Sequence, residues 1–152
     1  MKLQKIASFE VNHNTLKRGL YTSRIDGDVT TYDIRMKLPN SGDYLDTKAM
    51  HTTEHIVATF VRNSEFKDRI IYFGPMGCRT GFYLLTRDVS PCDVIKLVRD
   101  AFEFLSEFEG DIPGVSAIEC GNYLEHDLCG AKEEAKKYLP VLKDYRIEQL
   151  KY

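Results

Sequence analysis

The chain has 152 residues, of which 43% are hydrophobic and 29% are charged, and its net charge is −2. A chain of this length buries about 68–70% of its unfolded surface, so we expect a single domain over residues 1–152 that needs no disulfide or structural metal to fold. There is no basic cluster interleaved with aromatic residues and no apolar run of about 20 residues, which argues against nucleic-acid binding and against a membrane span.

The N-terminal residues and the cysteines indicate a compartment. The segment MKLQKIASFEVNHN contains no apolar stretch of signal-peptide length, so we expect a cytoplasmic protein. Its four cysteines should then be reduced, which leaves metal binding, catalysis or simple burial as their roles.

The first half of the chain predicts a β-hairpin. The segment GLYTSRIDGDVTTYDIRMKL has the pattern of two strands around an Asp26-Gly27 turn. In the second strand Asp33 and Arg35 alternate with apolar residues, so we expect both on the polar face. Arg35 then pairs with Asp33 or Asp28 on a solvated face.

A helix and two further strands follow. Asp46 or Thr47 is a suitable cap for a helix that runs to about Asn63. The segments RIIYF and FYLLTR predict two short strands, and GPMGCRTG between them is typical of a loop.

The second half of the chain is predicted to be mainly helical. Ser90 followed by Pro91 is typical of a helix start, and this helix ends before Gly110. Another helix is predicted over residues 125–139, where Pro140 breaks or restarts it. Hairpins followed by helices, without strict β-α-β alternation, predict an α+β sandwich with a largely antiparallel sheet.

The segment HTTEHIVATFVR has the spacing of a metal site. On a helix, His51 and His55 lie about 40° apart around the axis, so both rings can bind one ion. Glu54 lies beside them and can move protons rather than coordinate. Arg62 is on the same helix face, about 16 Å further along the axis. The alternative, a helix whose histidines are ordinary core or surface groups, is weakened by the adjacent glutamate.

The third ligand remains open at this point. A catalytic site of the zinc type usually has three protein ligands and one open position. Cys120, Cys129 and His126 are the candidates. Cys120 stands just before a helix, where a side chain can point away from the core. Cys129 lies within the helical pattern, so burial is its expected role, and we assign Cys92 no function.

Cys78 lies in a tight loop beside Arg79. A nearby cation lowers the pKa of a thiol, which then serves as a nucleophile or as an acid/base group. The alternative is a small residue that fills a turn. Ser8, His13 and Arg35 have no local pattern that indicates a function.

Taken together, several segments resemble the S-ribosylhomocysteine lyase family, the LuxS family, across nearly the whole chain. The similar segments, in family order and spacing, are SFEVNH, YDIRMKLPN, HTTEHIVATFVRN, GPMGCRTGFYL and ECGNYLEHDLCGAK. The resemblance implies a fold similar to that of metallopeptidases with the inverted His-x-x-Glu-His motif. It also implies a homodimer whose active sites are built from both subunits, and an Fe²⁺ ion that Zn²⁺ or Co²⁺ can replace.

The resemblance assigns the central residues. It implies that His51, His55 and Cys120 bind the metal, which selects Cys120 among the candidates. It also implies that Glu54 and Cys78 are the two acid/base groups.

The resemblance also implies how the substrate is held. Ser8, His13 and Arg35 would line the ribose end, and Arg62 would bind the carboxylate of the homocysteine portion. The family usually has an aspartate six residues before the catalytic cysteine, where this chain has Tyr72. We therefore expect either the hydroxyl or ring of Tyr72, or backbone carbonyls, to accept the substrate ammonium. Three further departures are the change from ISPMGC to FGPMGC, Asn12 in place of aspartate, and Cys129 where an acidic residue or glutamine is common.

The implied reaction cleaves the thioether of S-ribosylhomocysteine without redox chemistry. The products would be homocysteine and 4,5-dihydroxy-2,3-pentanedione, the precursor of autoinducer-2. One alternative is an inverted-motif metallopeptidase, which would need a downstream carboxylate such as Glu103 or Glu107 as its third ligand. The other is a non-enzymatic metal-binding or sensor domain, in which Glu54 and Cys78 would be dispensable.

Overall fold

The structure, a computed structural model, describes residues 1–152. It consists of a four-stranded antiparallel sheet and three helices. The strands are β1 (Gly19–Asp26), β2 (Val29–Arg35), β3 (Ile70–Pro75) and β4 (Gly81–Arg87), in the spatial order β1-β2-β4-β3. The helices are α1 (Thr47–Arg62), α2 (Pro91–Glu107) and α3 (Leu128–Leu142). Short 3-10 turns cover Ala7–Phe9, Lys67–Arg69 and Ile147–Leu150. The predicted α+β class with an antiparallel sheet is confirmed.

The predicted hairpin joins β1 to β2. Asp26 pairs with Val29, and Gly27 between them has a φ of +61°, a left-handed conformation that glycine adopts at little cost. The hairpin is confirmed, and it fixes the register that places Asp33 opposite Tyr21 and Arg35 opposite Gly19.

One face of the sheet forms the core with the helices. Leu20, Ile34 and Phe82 are fully buried in adjacent strands and share this face. They pack in one cluster with residues of all three helices, including Val57 of α1 and Phe102 of α2. This packing fixes α1 relative to the sheet and so positions its polar side chains.

The expectation of a solvated polar face on β2 is wrong. Asp33 and Arg35 are 0% and 3% exposed, and they form an ion pair of 2.6 Å between Oδ2 and Nη2. The C-terminal residues cover this face, since the Tyr152 ring stacks on Tyr21 at 5.0 Å. Asp28 pairs instead with Arg87 at the exposed end of the hairpin.

The predicted start of α1 is confirmed, with Asp46 as the cap. Its carboxylate accepts from the backbone N–H groups of Lys48 and Ala49, which lack partners within the first helical turn. The helix ends at Arg62, so the predicted end at about Asn63 is also confirmed.

Helix α3 differs from its prediction. It begins at Leu128 after an Asp127 cap, three residues later than expected, and it continues through Pro140 to Leu142. The proline therefore does not break the helix, which lasts only two further residues. Near the N-terminus, Ser8 lies within the 3-10 turn Ala7–Phe9. None of the helices combines the length and the apolar character that crossing a membrane requires.

Candidate active site

Two histidines of α1 and one cysteine bring three potential metal-binding atoms together. The rings of His51 and His55 lie 4.6 Å apart, as their spacing predicts. The Sγ atom of Cys120 lies 3.5 Å from Nε2 of His51 and 3.9 Å from Nε2 of His55. Bond lengths to a tetrahedral Zn²⁺-like ion imply about 3.6 Å between the sulfur and each nitrogen. The three atoms therefore fit one divalent ion.

The hydrogen bonds of both histidines leave the correct nitrogen free. Nδ1 of His51 lies 2.8 Å from the carbonyl oxygen of Glu125, and Nδ1 of His55 lies 2.7 Å from that of Pro113. A carbonyl oxygen only accepts, so each Nδ1 bears the proton and each Nε2 keeps its lone pair. Gly114, with a φ of +72°, permits the approach, since a Cβ there would lie 3.2 Å from Nδ1 of His55.

The structure narrows the candidates for the third ligand. Cys120 and His126 join the two histidines in a group whose potential ligand atoms all lie within 4.8 Å of one another. Cys129 is outside this group and is exposed, so its expected burial is wrong. It lies in the first turn of α3, on the side that faces solvent. Glu103 and Glu107 are not part of the group either, which removes the ligand that the metallopeptidase alternative needed.

His126 is the fourth member of the group. Its ring stacks on that of His51 at 4.0 Å and lies 4.8 Å from that of His55. Burial lowers the pKa of His126, and the charges of His51 and His55 lower it further. Glu54 is half-buried on the same helix, and its side chain forms no hydrogen bond with another residue.

A second group surrounds Cys78 at the end of the sheet. The Cys78 Sγ atom lies 3.0 Å from the hydroxyl of Thr80 and 4.0 Å from Nη1 of Arg35. Arg35 also donates to Thr80 at 2.7 Å and to Asp33 at 2.6 Å. The cation beside the thiol is therefore Arg35. The sequence suggested Arg79, but Arg79 donates to a backbone carbonyl and lies over the Tyr44 ring.

Asp33 and Tyr152 complete this second group. The sequence offered Asp33 as one of two partners of Arg35 but not its burial, and it gave no role to Tyr152. Burial opposes the charge of Arg35, but the Asp33 carboxylate more than offsets it, so the pKa of Arg35 is raised. The Tyr152 hydroxyl donates to Asp33 at 2.7 Å. Burial, and then the charge of Asp33, raises the pKa of Tyr152 and keeps this donor protonated. The alternation in β2 could have indicated Asp33, but no local pattern indicates Tyr152.

The N-terminal candidates lie on the outer side of the sheet. Ser8 lines a cavity of about 190 Å³ together with Thr31 and Tyr83, the latter paired in register with Asp33. Nδ1 of His13 donates to the carbonyl of Val11 at 2.8 Å. Ser8 is thus on the sheet face of Arg35 rather than beside the histidines of α1.

Arg62 and Tyr72 lie apart from both groups. Arg62 is exposed and donates to the carbonyl of Ile71 at 2.8 Å. Tyr72 is 50% exposed, and its ring covers Gly74, where an added Cβ would overlap the tyrosine hydroxyl. Two departures from the family pattern, Tyr72 and Gly74, are therefore in direct contact.

No hydrogen bond or ring contact joins the histidine-cysteine group to the group around Cys78. The first lies between α1 and the segment before α3, and the second on the sheet face opposite the core. The metal ligands expected from the sequence lie in the first group, and Cys78, an expected acid/base residue, lies in the second.

Fold and site together define a class of α+β protein in which an inverted His-x-x-Glu-His helix and a cysteine form a group that could hold one divalent metal. A family model described as S-Ribosylhomocysteinase (LuxS) matches residues 6–148, and the chain belongs to this family. A protein of Desulfotalea psychrophila named S-ribosylhomocysteine lyase is 52% identical, with 97% of this chain and 96% of the relative covered. A relative of the same name from Clostridium acetobutylicum is 46% identical, with 99% of this chain and 99% of the relative covered. Another from Porphyromonas gingivalis is 47% identical, with 97% of this chain and 96% of the relative covered.

Proposed function

We propose that this protein cleaves the thioether of S-ribosylhomocysteine, releasing homocysteine and 4,5-dihydroxy-2,3-pentanedione, with residues 1–152 as one lyase domain. The observation that favours this reaction most is the cysteine in the donor set. Cys120 stands where a metallopeptidase of the inverted-motif class would need a carboxylate. The family membership and the shared name of its relatives agree with this activity.

We propose that His51, His55 and Cys120 hold one divalent metal in each subunit, Fe²⁺ in the native protein with Zn²⁺ or Co²⁺ as substitutes. The distances among the three atoms and the two Nδ1–H···O=C hydrogen bonds support this assignment. The ion would act as a Lewis acid that polarises an oxygen of the open-chain sugar. The thiolate donates more charge than a third imidazole and makes the ion a milder Lewis acid, which suits reversible proton transfer.

Glu54 and Cys78 are proposed as the acid/base groups. One removes the proton next to the sugar carbonyl and a protonated group returns a proton to the neighbouring carbon, and two such steps move the carbonyl from C1 to C3. Loss of a further proton from C4 then expels the sulfur at C5, and the thiolate of homocysteine takes up a proton. The enol left across C4 and C5 tautomerises to the diketone, with a proton added at C5. Each acid/base group of this kind contributes about 10²–10⁴-fold.

The remaining residues are proposed to hold the two ends of the substrate. Ser8, His13 and Arg35 bind the ribose end. Arg62 binds the carboxylate of the homocysteine portion, and Tyr72 meets its ammonium. Arg62 is exposed and its only hydrogen bond uses Nη2, so much of its guanidinium is available for a carboxylate.

A homodimer would bring the two groups of the site together. Within one chain, Arg35 and Cys78 lie on the sheet face opposite the core, without a contact to the histidine-cysteine group. We propose that Cys78 of one subunit faces Glu54 of the partner, so that each dimer has two sites. A cytoplasmic location is proposed as well, because both thiols must remain reduced, and all four cysteines are unpaired.

The test is anaerobic incubation of the Fe²⁺- or Co²⁺-loaded protein with S-ribosylhomocysteine and measurement of the free homocysteine thiol. We expect steady thiol release by the natural sequence and almost none by Cys78→Ala or Glu54→Gln with full metal content. Turnover by either variant at the rate of the natural sequence, with full metal content, would contradict the acid/base roles. No release by the natural sequence would contradict the proposed reaction.

A further inference from the structure

His126 faces the candidate metal site without a role in the ligand set proposed above. Its Nδ1 atom lies 3.0 Å from the hydroxyl of Thr52, a residue of α1 that is fully buried. Its Nε2 atom is buried and has no hydrogen-bond partner. The ring belongs to the same group as His51, His55 and Cys120, whose potential ligand atoms all lie within 4.8 Å of one another.

The hydrogen bonds of Thr52 assign the tautomer of His126. The Thr52 oxygen accepts from the backbone N–H of Asp127 at 2.9 Å. The neighbouring helix residues Thr53 and Thr59 donate their hydroxyl protons to carbonyls four residues earlier, but Thr52 forms no such bond. The acceptor left for the Thr52 proton is Nδ1 of His126. In the neutral ring Nδ1 is then unprotonated, and Nε2 bears the hydrogen.

His126 is thus arranged oppositely to the two proposed ligands. His51 and His55 use Nδ1–H to donate to carbonyl oxygens and keep a free lone pair on Nε2. His126 accepts at Nδ1 and has a hydrogen on Nε2, which prevents that atom from binding a metal. The stacked His51 ring, at 4.0 Å and 22°, holds His126 in this orientation.

We infer that His126 is a hydrogen-bond donor to a sugar oxygen of the substrate, and that Thr52 is a positioning residue that fixes the donating tautomer. The inference rests on the proposed lyase function. A buried donor without an acceptor is unfavourable, so a bound ligand that brings an oxygen to Nε2–H satisfies it. Negative charge develops on the carbonyl oxygen in each proton transfer, and a fixed donor at that position stabilises it.

The tautomer can be measured without any turnover. Nitrogen-15 NMR of uniformly labelled protein, both metal-free and Zn²⁺-loaded, reports which ring nitrogen of each histidine is protonated. We expect His126 to have its hydrogen on Nε2 in both states, and His51 and His55 to have theirs on Nδ1. A His126 protonated on Nδ1, or bound to Zn²⁺ through Nε2, would overturn the inference and make His126 a fourth ligand.

Variants test the role in the reaction. His126→Phe keeps a flat ring against His51 but removes the donor, so we expect one metal per subunit and a fall in kcat of about 10²-fold, with little change in KM. His126→Asn provides an N–H donor and should recover part of this loss. Thr52→Val, similar in shape, should lower kcat and populate the other tautomer of His126. Thr52→Ser should recover most of that loss.

Three outcomes would contradict the inference: loss of the metal in His126→Phe, an unchanged kcat in that variant, or an unchanged tautomer of His126 in Thr52→Val. The metal content and the NMR result are independent of activity. If the natural sequence releases no homocysteine, the proposed reaction fails, and the tautomer still shows whether His126 is a donor or a ligand.

Discussion

Removal of the Asp33 carboxylate should destabilise this protein more than removal of any exposed acidic partner. Asp33 is 0% exposed and accepts from Arg35 at 2.6 Å and from Tyr152 at 2.7 Å. Asp33→Ala leaves the Arg35 guanidinium, which is 3% exposed, without its counter-charge. It also leaves the Tyr152 hydroxyl without its acceptor.

The burial of the pair sets the magnitude. Breaking a buried ion pair by removing one partner typically costs about 3–5 kcal/mol, because an uncompensated charge remains. For a chain of about 150–250 residues, 1 kcal/mol lowers Tm by about 2–4 °C, so we expect a decrease of about 6–20 °C. Asp28→Ala is the matched control. It breaks the ion pair between Asp28 and Arg87, whose side chains are 57% and 51% exposed, respectively. Such exposed pairs contribute about 0–1 kcal/mol.

The assay is thermal unfolding followed by circular dichroism. All variants are compared at one protein concentration, since the Tm of the proposed dimer would depend on concentration. We expect Asp33→Ala to unfold well below the natural sequence and Asp28→Ala to unfold within about 4 °C of it. Equal shifts in the two variants would show that the buried pair contributes no more than the exposed one and would refute this reasoning.

Three further predictions concern the proposed ligands and the amino-acid end of the substrate. Cys120→Ala should lose the bound metal and Cys129→Ala should keep it, as measured by metal-to-protein stoichiometry, and the opposite pattern would overturn the ligand assignment. Arg62→Ala should raise KM for S-ribosylhomocysteine far more than it lowers kcat in steady-state kinetics, because the carboxylate is bound equally in the ground and transition states. An unchanged KM would mean that this end binds elsewhere. Tyr72→Asp should remain active with a lower KM. Gly74→Ser should destabilise the protein because the added Cβ overlaps the Tyr72 hydroxyl, and the same change combined with Tyr72→Asp should be tolerated. Additive effects in this double-mutant cycle of unfolding free energies would contradict the contact.

The elements that the sequence predicted well have strong local signals. The hairpin follows from Asp26-Gly27 between alternating strands, and the left-handed Gly27 is what such a turn requires. Helix α1 follows from the Asp46 cap and from histidines four residues apart on one face. In each case the determining contacts lie within a few residues, so the pattern alone was sufficient.

The surroundings of Arg35 could not be predicted because they depend on distant parts of the chain. Alternation in β2 placed Asp33 and Arg35 on one face but did not indicate what covers it. That cover includes Tyr152, 119 residues beyond Asp33. Without it, a face with alternating charges resembles a solvated one.

The set of side chains around the histidines shows a similar limit. The sequence left Cys120, Cys129 and His126 open as candidates, and only the path of the chain from Pro113 to Asp127 brings two of them to the site. The difference between a ligand and a donor then depends on one hydroxyl, that of Thr52, and no sequence pattern encodes a tautomer.

Subunit complementation tests the central claim, a lyase whose active site needs residues of two subunits. Glu54→Gln and Cys78→Ala are each expected to be inactive as homodimers. Equal amounts of the two, dissociated and reassociated, form about half mixed dimers, each with one intact site of two. The account therefore predicts homocysteine release at about one quarter of the natural rate per subunit. No release above that of the separate variants, with mixed dimers verified by mass spectrometry, would contradict a site shared between subunits.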